Sequence, residues 1–157
     1  MSSSAIMAQI HSCENQISVT KLEIIKLQDK VEKQENAISV FGLRYTDFMS
    51  EIDEKSSKIS AVVSYDPEDV AAVRFGEATS YEFESKKGSV INDVDSIEQG
   101  MKTELQQTIT ELETAEALLQ NLNSRLSSLW GEYHAAVARE QAEAEAAAAA
   151  AAAARVG

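Results

Sequence analysis

The stretch from Ile10 to Val62 carries apolar side chains at alternating steps of three and four residues. Its seam positions are Ile10, Cys13, Ile17, Thr20, Ile24, Leu27, Val31, Gln34, Ile38, Phe41, Tyr45, Phe48, Ile52, Lys55, Ile59 and Val62. Apolar residues at this spacing keep one face of an α-helix against a partner helix. The pattern predicts a first helix over residues 5–63, and the serines at 2–4 are typical N-caps.

A second seam runs through the later part of the chain. Its members are Val90, Val94, Ile97, Met101, Leu105, Thr108, Leu112, Ala115, Leu119, Leu122, Leu126, Leu129 and Tyr133. They predict a second helix over residues 78–140 that continues through Gly88, with a local stutter at the four-residue steps Ile97–Met101–Leu105. Residues 141–157 are rich in Ala and Glu, so this tail is either a helical extension or a stretch that is not native to the chain.

Residues 64–77 connect the two seams and contain the one proline of the sequence. Asp66 followed by Pro67 is typical of a helix start, with Asp66 as the N-cap. A short connecting helix from Pro67 to about Arg74 would end where Gly76 bends the chain. The pattern therefore predicts a turn region with one short helix.

The short connection and the matched lengths of the two long helices predict an all-α fold, a long antiparallel helical hairpin that is coiled-coil-like. A single domain would cover residues 1–140. Folding about Val63 and Ala78 places Gly42 almost opposite Gly100. Two mid-helix glycines at the same height predict a close approach of the backbones, and chance coincidence is the alternative.

The first helix also carries apolar residues away from its seam. Val19, Leu22 and Ile25 lie three residues apart, and Val40 with Leu43 repeats this pattern further along the helix. One partner helix would leave both groups in solvent. They are therefore either ordinary surface, which often carries single apolar residues, or a second contact surface for another helical chain.

Charge and composition exclude several classes of function. The chain has 157 residues and a net charge of −12. An acidic surface repels phosphate backbones, so we expect no nucleic-acid binding, and no apolar run is long enough for membrane insertion. The charge also opposes self-association at low salt, which favours a hetero-partner, although a homodimer stays open.

No constellation of catalytic residues appears in the sequence. His11 and His134 are the two histidines and Cys13 is the one cysteine, and no acidic residues with metal-ligand spacing accompany them. A two-helix hairpin also lacks the concave cavity that enzymes use. The sequence therefore predicts that the protein is not an enzyme and has no catalytic residue, metal site or cofactor.

Gly76 lies between the two long helices and is followed by Ala78 and by the aromatic residues Tyr81 and Phe83. A long heptad helix, a glycine turn with a following aromatic residue, and a second long helix make residues 5–135 resemble the WXG-type helical-hairpin proteins of Gram-positive type VII secretion. Within that group the chain is most similar to the YwqH-like branch, the small partners of LXG toxins.

The chain departs from the pattern of these proteins at two places. Arg74 stands where they carry tryptophan, two residues before the glycine, and Phe75 follows one residue late. Their tail motif, an aromatic residue with an acid four residues later, matches only Tyr65 and Asp69, which lie in the connection rather than after the second helix.

The resemblance implies an adaptor that binds the helical N-terminal domain of a secreted toxin and promotes its export. Its partners would be an LXG-like toxin, a second small helical protein, or both. It would be cytoplasmic before export and then secreted without a cleavable signal peptide, which the first eight residues do not resemble. The candidate partner-binding residues are Val19, Leu22, Ile25, Val40, Leu43, Phe75, Gly76 and Tyr81.

Two other functions fit the same pattern. A coiled-coil structural or scaffold protein would assemble with copies of itself. A cytoplasmic chaperone or regulator would keep a helical client in solution. A neighbouring gene with an LXG-like domain would favour the adaptor, and a homo-oligomer without a client would favour the scaffold.

Overall fold

Two long α-helices account for nearly all of the described chain. The computed structural model describes residues 1–65 and 68–157. Helix α1 comprises Ser3–Tyr65, helix α2 comprises Val70–Val156, and the two helices pack against each other. The predicted all-α helical hairpin is confirmed.

The N-terminal serines cap α1 as predicted. The hydroxyl oxygen of Ser2 accepts a hydrogen bond from the backbone N–H of Ala5 at 3.3 Å, and its carbonyl accepts one from Ile6 at 3.1 Å. The first of these bonds occupies a backbone donor that the first turn of a helix leaves without an intrahelical partner, and the second is the first i→i−4 bond of α1.

Helix α2 begins earlier than the sequence pattern predicts, because Asp69 caps it. The Asp69 carboxylate accepts hydrogen bonds from the backbone N–H groups of Ala71 and Ala72 at 3.0 and 3.1 Å. Residues 70–74 are helical, in agreement with the predicted short helix, but the predicted turn over residues 75–77 is wrong because α2 continues through them. The predicted cap at Asp66 and the neighbouring Pro67 lie outside the described residues.

Glycines do not break α2. The helix continues through Gly76 and Gly88, and no described glycine has a positive φ. The predicted bend at Gly76 and the separate short helix ending near Arg74 are therefore wrong, and the predicted continuity through Gly88 is confirmed. A mid-helix glycine costs about 1 kcal/mol, which packing along a long helix offsets. The tail is helical to Val156, and its side chains from residue 141 onward are exposed.

The chain forms two compact units, each containing a part of α1 and a part of α2. Unit 1 consists of Met1–Asp29 and Thr110–Gly157, and unit 2 consists of Lys30–Ile109.

Unit 1 has a closed apolar seam in which the predicted heptad positions are buried on α1 and buried or half-buried on α2. Its core cluster consists of Ile6, Ile10, Cys13, Ile17, Leu122, Leu129 and Ala136. The Cys13 thiol donates a hydrogen bond to the carbonyl oxygen of Leu122 at 3.4 Å. Further along, the backbone N–H and hydroxyl of Ser3 donate to the two carboxylate oxygens of Glu140 at 2.7 and 2.6 Å.

Unit 2 has a more open seam with polar links between its helices. The Ser56 hydroxyl donates to Glu84 at 2.9 Å, and the Lys87 ammonium lies 3.6 Å from Asp53. These pairs confirm an antiparallel arrangement within this unit. Of the apolar side chains described here, only Ile52 reaches the level of burial found in the unit 1 core.

The α1 seam of unit 2 slips once, whereas the sequence pattern predicts an unbroken register. Burial follows Phe41, Tyr45 and Met49, which are two consecutive steps of four residues. Phe48 and Val62, both predicted seam positions, are therefore exposed. The slip is a stutter, which locally unwinds the supercoil.

The α2 seam of unit 2 also has a stutter. It consists of two consecutive four-residue steps, from Phe83 to Lys87 and from Lys87 to Ile91. The predicted stutter beginning at Ile97 is wrong, because Ile97 is exposed and the half-buried Glu98 takes the seam position. The methylenes of Glu98 can cover apolar surface while its carboxylate pairs with Lys102 at 2.9 Å.

The glycines at the middle of unit 2 do not mark a close approach of the helices. A Cβ atom placed on Gly42 or on Gly100 would have no atom of the opposite helix within 4 Å. The predicted backbone contact is therefore wrong, and their similar height in the hairpin is a coincidence. Both glycines sit beside open space rather than under the other helix.

Candidate partner-binding surface

The candidate residues of unit 1 form an exposed ridge on α1. Val19, Leu22 and Ile25 are 67%, 61% and 61% exposed. Residues three apart form one of the two rows of side chains that mesh with the grooves of another helix. Lys21 and Lys26 flank the ridge, and neither makes an ion pair with any described residue. Glu23 is also exposed beside the ridge, so the ridge is apolar at its centre and has charges of both signs at its sides.

The candidate residues Val40 and Leu43 belong to unit 2. Both are exposed, at 52% and 67%. They lie three residues apart on α1, as Leu22 and Ile25 do, so the spacing of the unit 1 ridge is repeated here. This pair is a second apolar group without a partner in the described chain.

The structure separates the three candidates near the start of α2. Phe75 and Tyr81 are 72% and 80% exposed, whereas Gly76 is buried in the seam. At 100° per residue, Phe75 and Tyr81 point about 120° apart on the helix. They therefore do not form one surface with Gly76. Both aromatic side chains are exposed and therefore available for contact.

Val70 is an exposed apolar residue that the sequence pattern did not single out. It is 61% exposed and lies eleven residues before Tyr81, which is three turns plus about 20°, so the two share a face of α2. The eleven-residue spacing from Tyr81 is present in the sequence. It indicates a shared face only if residues 70–81 form one continuous helix, which the sequence pattern did not predict.

A groove in unit 1 lies beside the ridge and was not predicted. It has a volume of about 790 Å³. Its apolar walls are Val19 on α1 and the half-exposed Leu118 on α2, and its floor contains the buried Thr20 and Leu122. Leu118 lies next to the predicted seam position Leu119. Whether it faces the groove depends on how α2 is rotated about its own axis, and the sequence pattern does not define that rotation.

The rest of the groove is lined by Ala8, His11 and the uncharged polar side chains of Ser12, Asn15 and Gln16. Ser12 and Gln16 also line an adjoining small recess together with Arg125. Arg125 makes no ion pair within the described chain. The groove therefore combines two aliphatic walls with a free guanidinium group at one side.

Each of the two histidines has a close side-chain neighbour on its own helix. His11 lies 3.4 Å from the Glu14 carboxylate, and His134 stacks on Trp130 with ring centroids 6.0 Å apart. Trp130 also contacts Tyr133 edge to face at 5.7 Å. Among the described residues, no group of three His, Cys, Asp or Glu side chains is placed to hold a metal ion.

The end of unit 1 carries a carboxylate whose pKa is lowered, that of Glu140. Hydrogen bonds from the Ser3 hydroxyl and backbone N–H lower the pKa of Glu140, and the positive charge of Arg139 lowers it further. The carboxylate sits at the N-terminus of α1, where the helix dipole favours negative charge. Arg139 in turn donates to the carbonyl of Met1 at 2.9 Å, so these contacts join the ends of the two helices.

Within residues 1–65 and 68–157, neither helix contains a segment long and apolar enough to cross a membrane. No family model matches the chain, and no curated protein or solved structure matches it either. The exposed apolar ridge and the neighbouring groove of unit 1 are the features from which a function can be inferred.

Proposed function

We propose that the protein is a non-enzymatic helical adaptor that binds the helical N-terminal domain of a secreted LXG-like toxin of type VII secretion and promotes its export. The observation that carries this proposal is the exposed ridge of Val19, Leu22 and Ile25 on a helix whose opposite face is already packed. Helix α2 covers one apolar face of α1, so the second apolar face is left for a helix of another chain.

Burial of the ridge would contribute to the free energy of binding but would not be sufficient for a stable complex by itself. Burying an exposed aliphatic side chain is worth roughly 1.5–3 kcal/mol. The three ridge residues are already about one-third covered, so together they would add roughly 3–6 kcal/mol. Association costs roughly 4–15 kcal/mol. A stable complex therefore needs further contacts, for which Val40, Leu43, Phe75 and Tyr81 are candidates.

The link to type VII secretion is supported by the resemblance of residues 5–135 to WXG-type hairpins and by the exposed aromatic residues Phe75 and Tyr81 near the start of α2. In this proposal the protein is cytoplasmic until export and leaves the cell without a cleavable signal. A second small helical protein could complete the complex beside the toxin domain.

The test is co-expression with the helical domain of an LXG-like toxin encoded beside this chain, followed by light scattering of the purified complex and measurement of toxin in the medium. Leu22→Glu with Ile25→Glu should abolish the complex and reduce export. The control is Gln120→Glu with Ser127→Glu, which adds the same two charges to exposed polar positions of α2 in unit 1, on the face of the helix away from Leu118 and Arg125. It should leave both measurements unchanged.

Other outcomes would point to the other functions. A homo-oligomer that ignores the toxin domain would overturn the adaptor in favour of a scaffold. A complex that keeps the domain in solution without affecting its export would favour a chaperone. The absence of any LXG-like gene beside this one would remove the toxin from the proposal.

A further inference from the structure

We infer that the groove of unit 1 holds one helix of the partner, and that this helix carries an aliphatic residue between Val19 and Leu118 and a carboxylate opposite Arg125. This inference rests on the proposed function, because it names where the partner helix lies and what recognises it. It also differs from binding on the ridge alone, since Leu118 and Arg125 belong to α2.

The shape of the groove fits a helix. Its two aliphatic walls come from different helices, Val19 from α1 and Leu118 from α2, and its buried floor is formed in part by Leu122. A side chain placed between the walls would contact both helices of unit 1. A third helix that packs along the open side of a helix pair makes this kind of contact.

The charges near the groove favour an acidic partner face. The whole chain has 26 acidic and 14 basic residues, yet no carboxylate lines the groove. The adjoining recess carries Arg125, which has no ion pair in the described chain. A carboxylate of the partner would therefore meet a guanidinium group and no like charge from the lining. A second copy is disfavoured, because each copy carries a net charge of −12.

The spacing on α2 defines the recognition pattern. Leu118 and Arg125 are seven residues apart, which is two helical turns or about 10 Å. A partner helix lying along the groove therefore needs its aliphatic residue and its carboxylate about seven positions apart. The hydroxyl and amide groups of Ser12, Asn15 and Gln16 would accept neutral polar side chains between those two positions.

The first experiment uses two synthetic helical peptides and the full chain. One peptide carries leucine and glutamate seven residues apart, and the other has lysine in place of the glutamate. Fluorescence anisotropy of the labelled peptides should show that the glutamate peptide binds at least tenfold more tightly. Arg125→Glu should reverse this preference, and Arg155→Glu, an exposed arginine in the tail of unit 1, should leave it unchanged.

Loss of the aliphatic wall provides the second measurement. Leu118→Glu should weaken binding of the glutamate peptide at least tenfold. Ala117→Glu, at the neighbouring exposed position, should leave the affinity unchanged. Circular dichroism checks that both variants remain helical. Failure of the glutamate peptide to bind, or binding that is equally sensitive to both variants, would overturn the inference.

The toxin domain separates failure of this inference from failure of the proposed function. If the domain binds and depends on Leu22 and Ile25 but not on Leu118 or Arg125, the groove is not its site and the adaptor function stands. If the domain does not bind but the glutamate peptide passes both tests, the adaptor proposal falls and the groove remains an acidic-helix site.

Discussion

Units 1 and 2 use the same two helices but bury their seams to different degrees. In unit 1 the seam consists mainly of Ile, Leu and Cys, and Ile10 is fully buried. In unit 2 the seam includes aromatic side chains and the polar residues Gln34, Lys87 and Glu98, and most positions are only half-buried. Unit 2 is also the part in which both helices stutter.

The difference shows that a heptad pattern specifies pairing more firmly than it specifies burial. Compact aliphatic side chains at strict three- and four-residue steps fit between those of the opposite helix. Larger or charged side chains and the stutters reduce this fit in unit 2. We therefore expect unit 1 to provide most of the apolar stabilisation per residue, and unit 2 to tolerate substitution more easily.

The largest expected effect is a loss of packing in the unit 1 core. Ile10→Ala should lower the free energy of unfolding by about 3 kcal/mol, because it leaves a cavity at a fully buried position. Ile38→Ala, at a half-buried seam position of unit 2, should cost only about 1 kcal/mol. Urea unfolding followed by circular dichroism measures both. Equal losses would show that the two seams are packed alike.

A smaller effect of opposite sign should come from making the unit 2 seam more like that of unit 1. The side chain of Lys87 is only 21% exposed, while its partners Asp53 and Glu84 are mostly in solvent. Lys87→Leu should therefore stabilise the protein by about 1 kcal/mol, since exposed ion pairs contribute little and a leucine would fill the seam. Lys86→Leu, at an exposed neighbour, should change stability by less than about 0.5 kcal/mol. Destabilisation by Lys87→Leu would mean that the ion pairs hold this part of the hairpin together.

The open space around the mid-helix glycines gives the next prediction. Gly42→Ala should raise stability by about 0.5–1 kcal/mol, because alanine is the better helix former and its methyl group meets no atom of the opposite helix. Gly100→Ala should do the same. A fall in the melting temperature of either variant would instead support the close contact between the helices that the sequence predicted.

These glycines also show where sequence reasoning ends. The apolar periodicity was sufficient for the two helices, their antiparallel pairing and the seam of unit 1, because burial there follows residue type. It was not sufficient for Gly42 and Gly100, because two residues can share a height in the hairpin and still point away from the seam. Rotation about the helix axis depends on packing, which a linear pattern does not contain.

The same limit applies to the candidate site. Exposure of Val19, Leu22 and Ile25 could be predicted, since they lie away from an otherwise regular seam. The groove could not, because Leu118 and Arg125 come from the other helix and meet α1 only in the folded unit. The start of the long α2 was misplaced at residue 78 because Gly76 favours a bend by its own propensity, and the packing that keeps it helical is not visible in the local sequence.

The smallest expected effect concerns the polar contacts that close the end of unit 1. Hydrogen bonds from Ser3 lower the pKa of Glu140 in the folded protein, so its ionised form is stabilised by folding. That contribution is fully present above the ordinary pKa of 4.5 and is lost as the pH falls through the lower folded value. Glu140→Gln should therefore be less stable than the wild type near neutral pH, and the difference should shrink progressively once the pH is below about 4.5.

Glu143→Gln, an exposed position one turn further along the tail, should show no such pH-dependent difference. Thermal melts of the three proteins across this range test the contact, and a difference that stays constant down to acid pH would show that Glu140 acts through its shape rather than its charge.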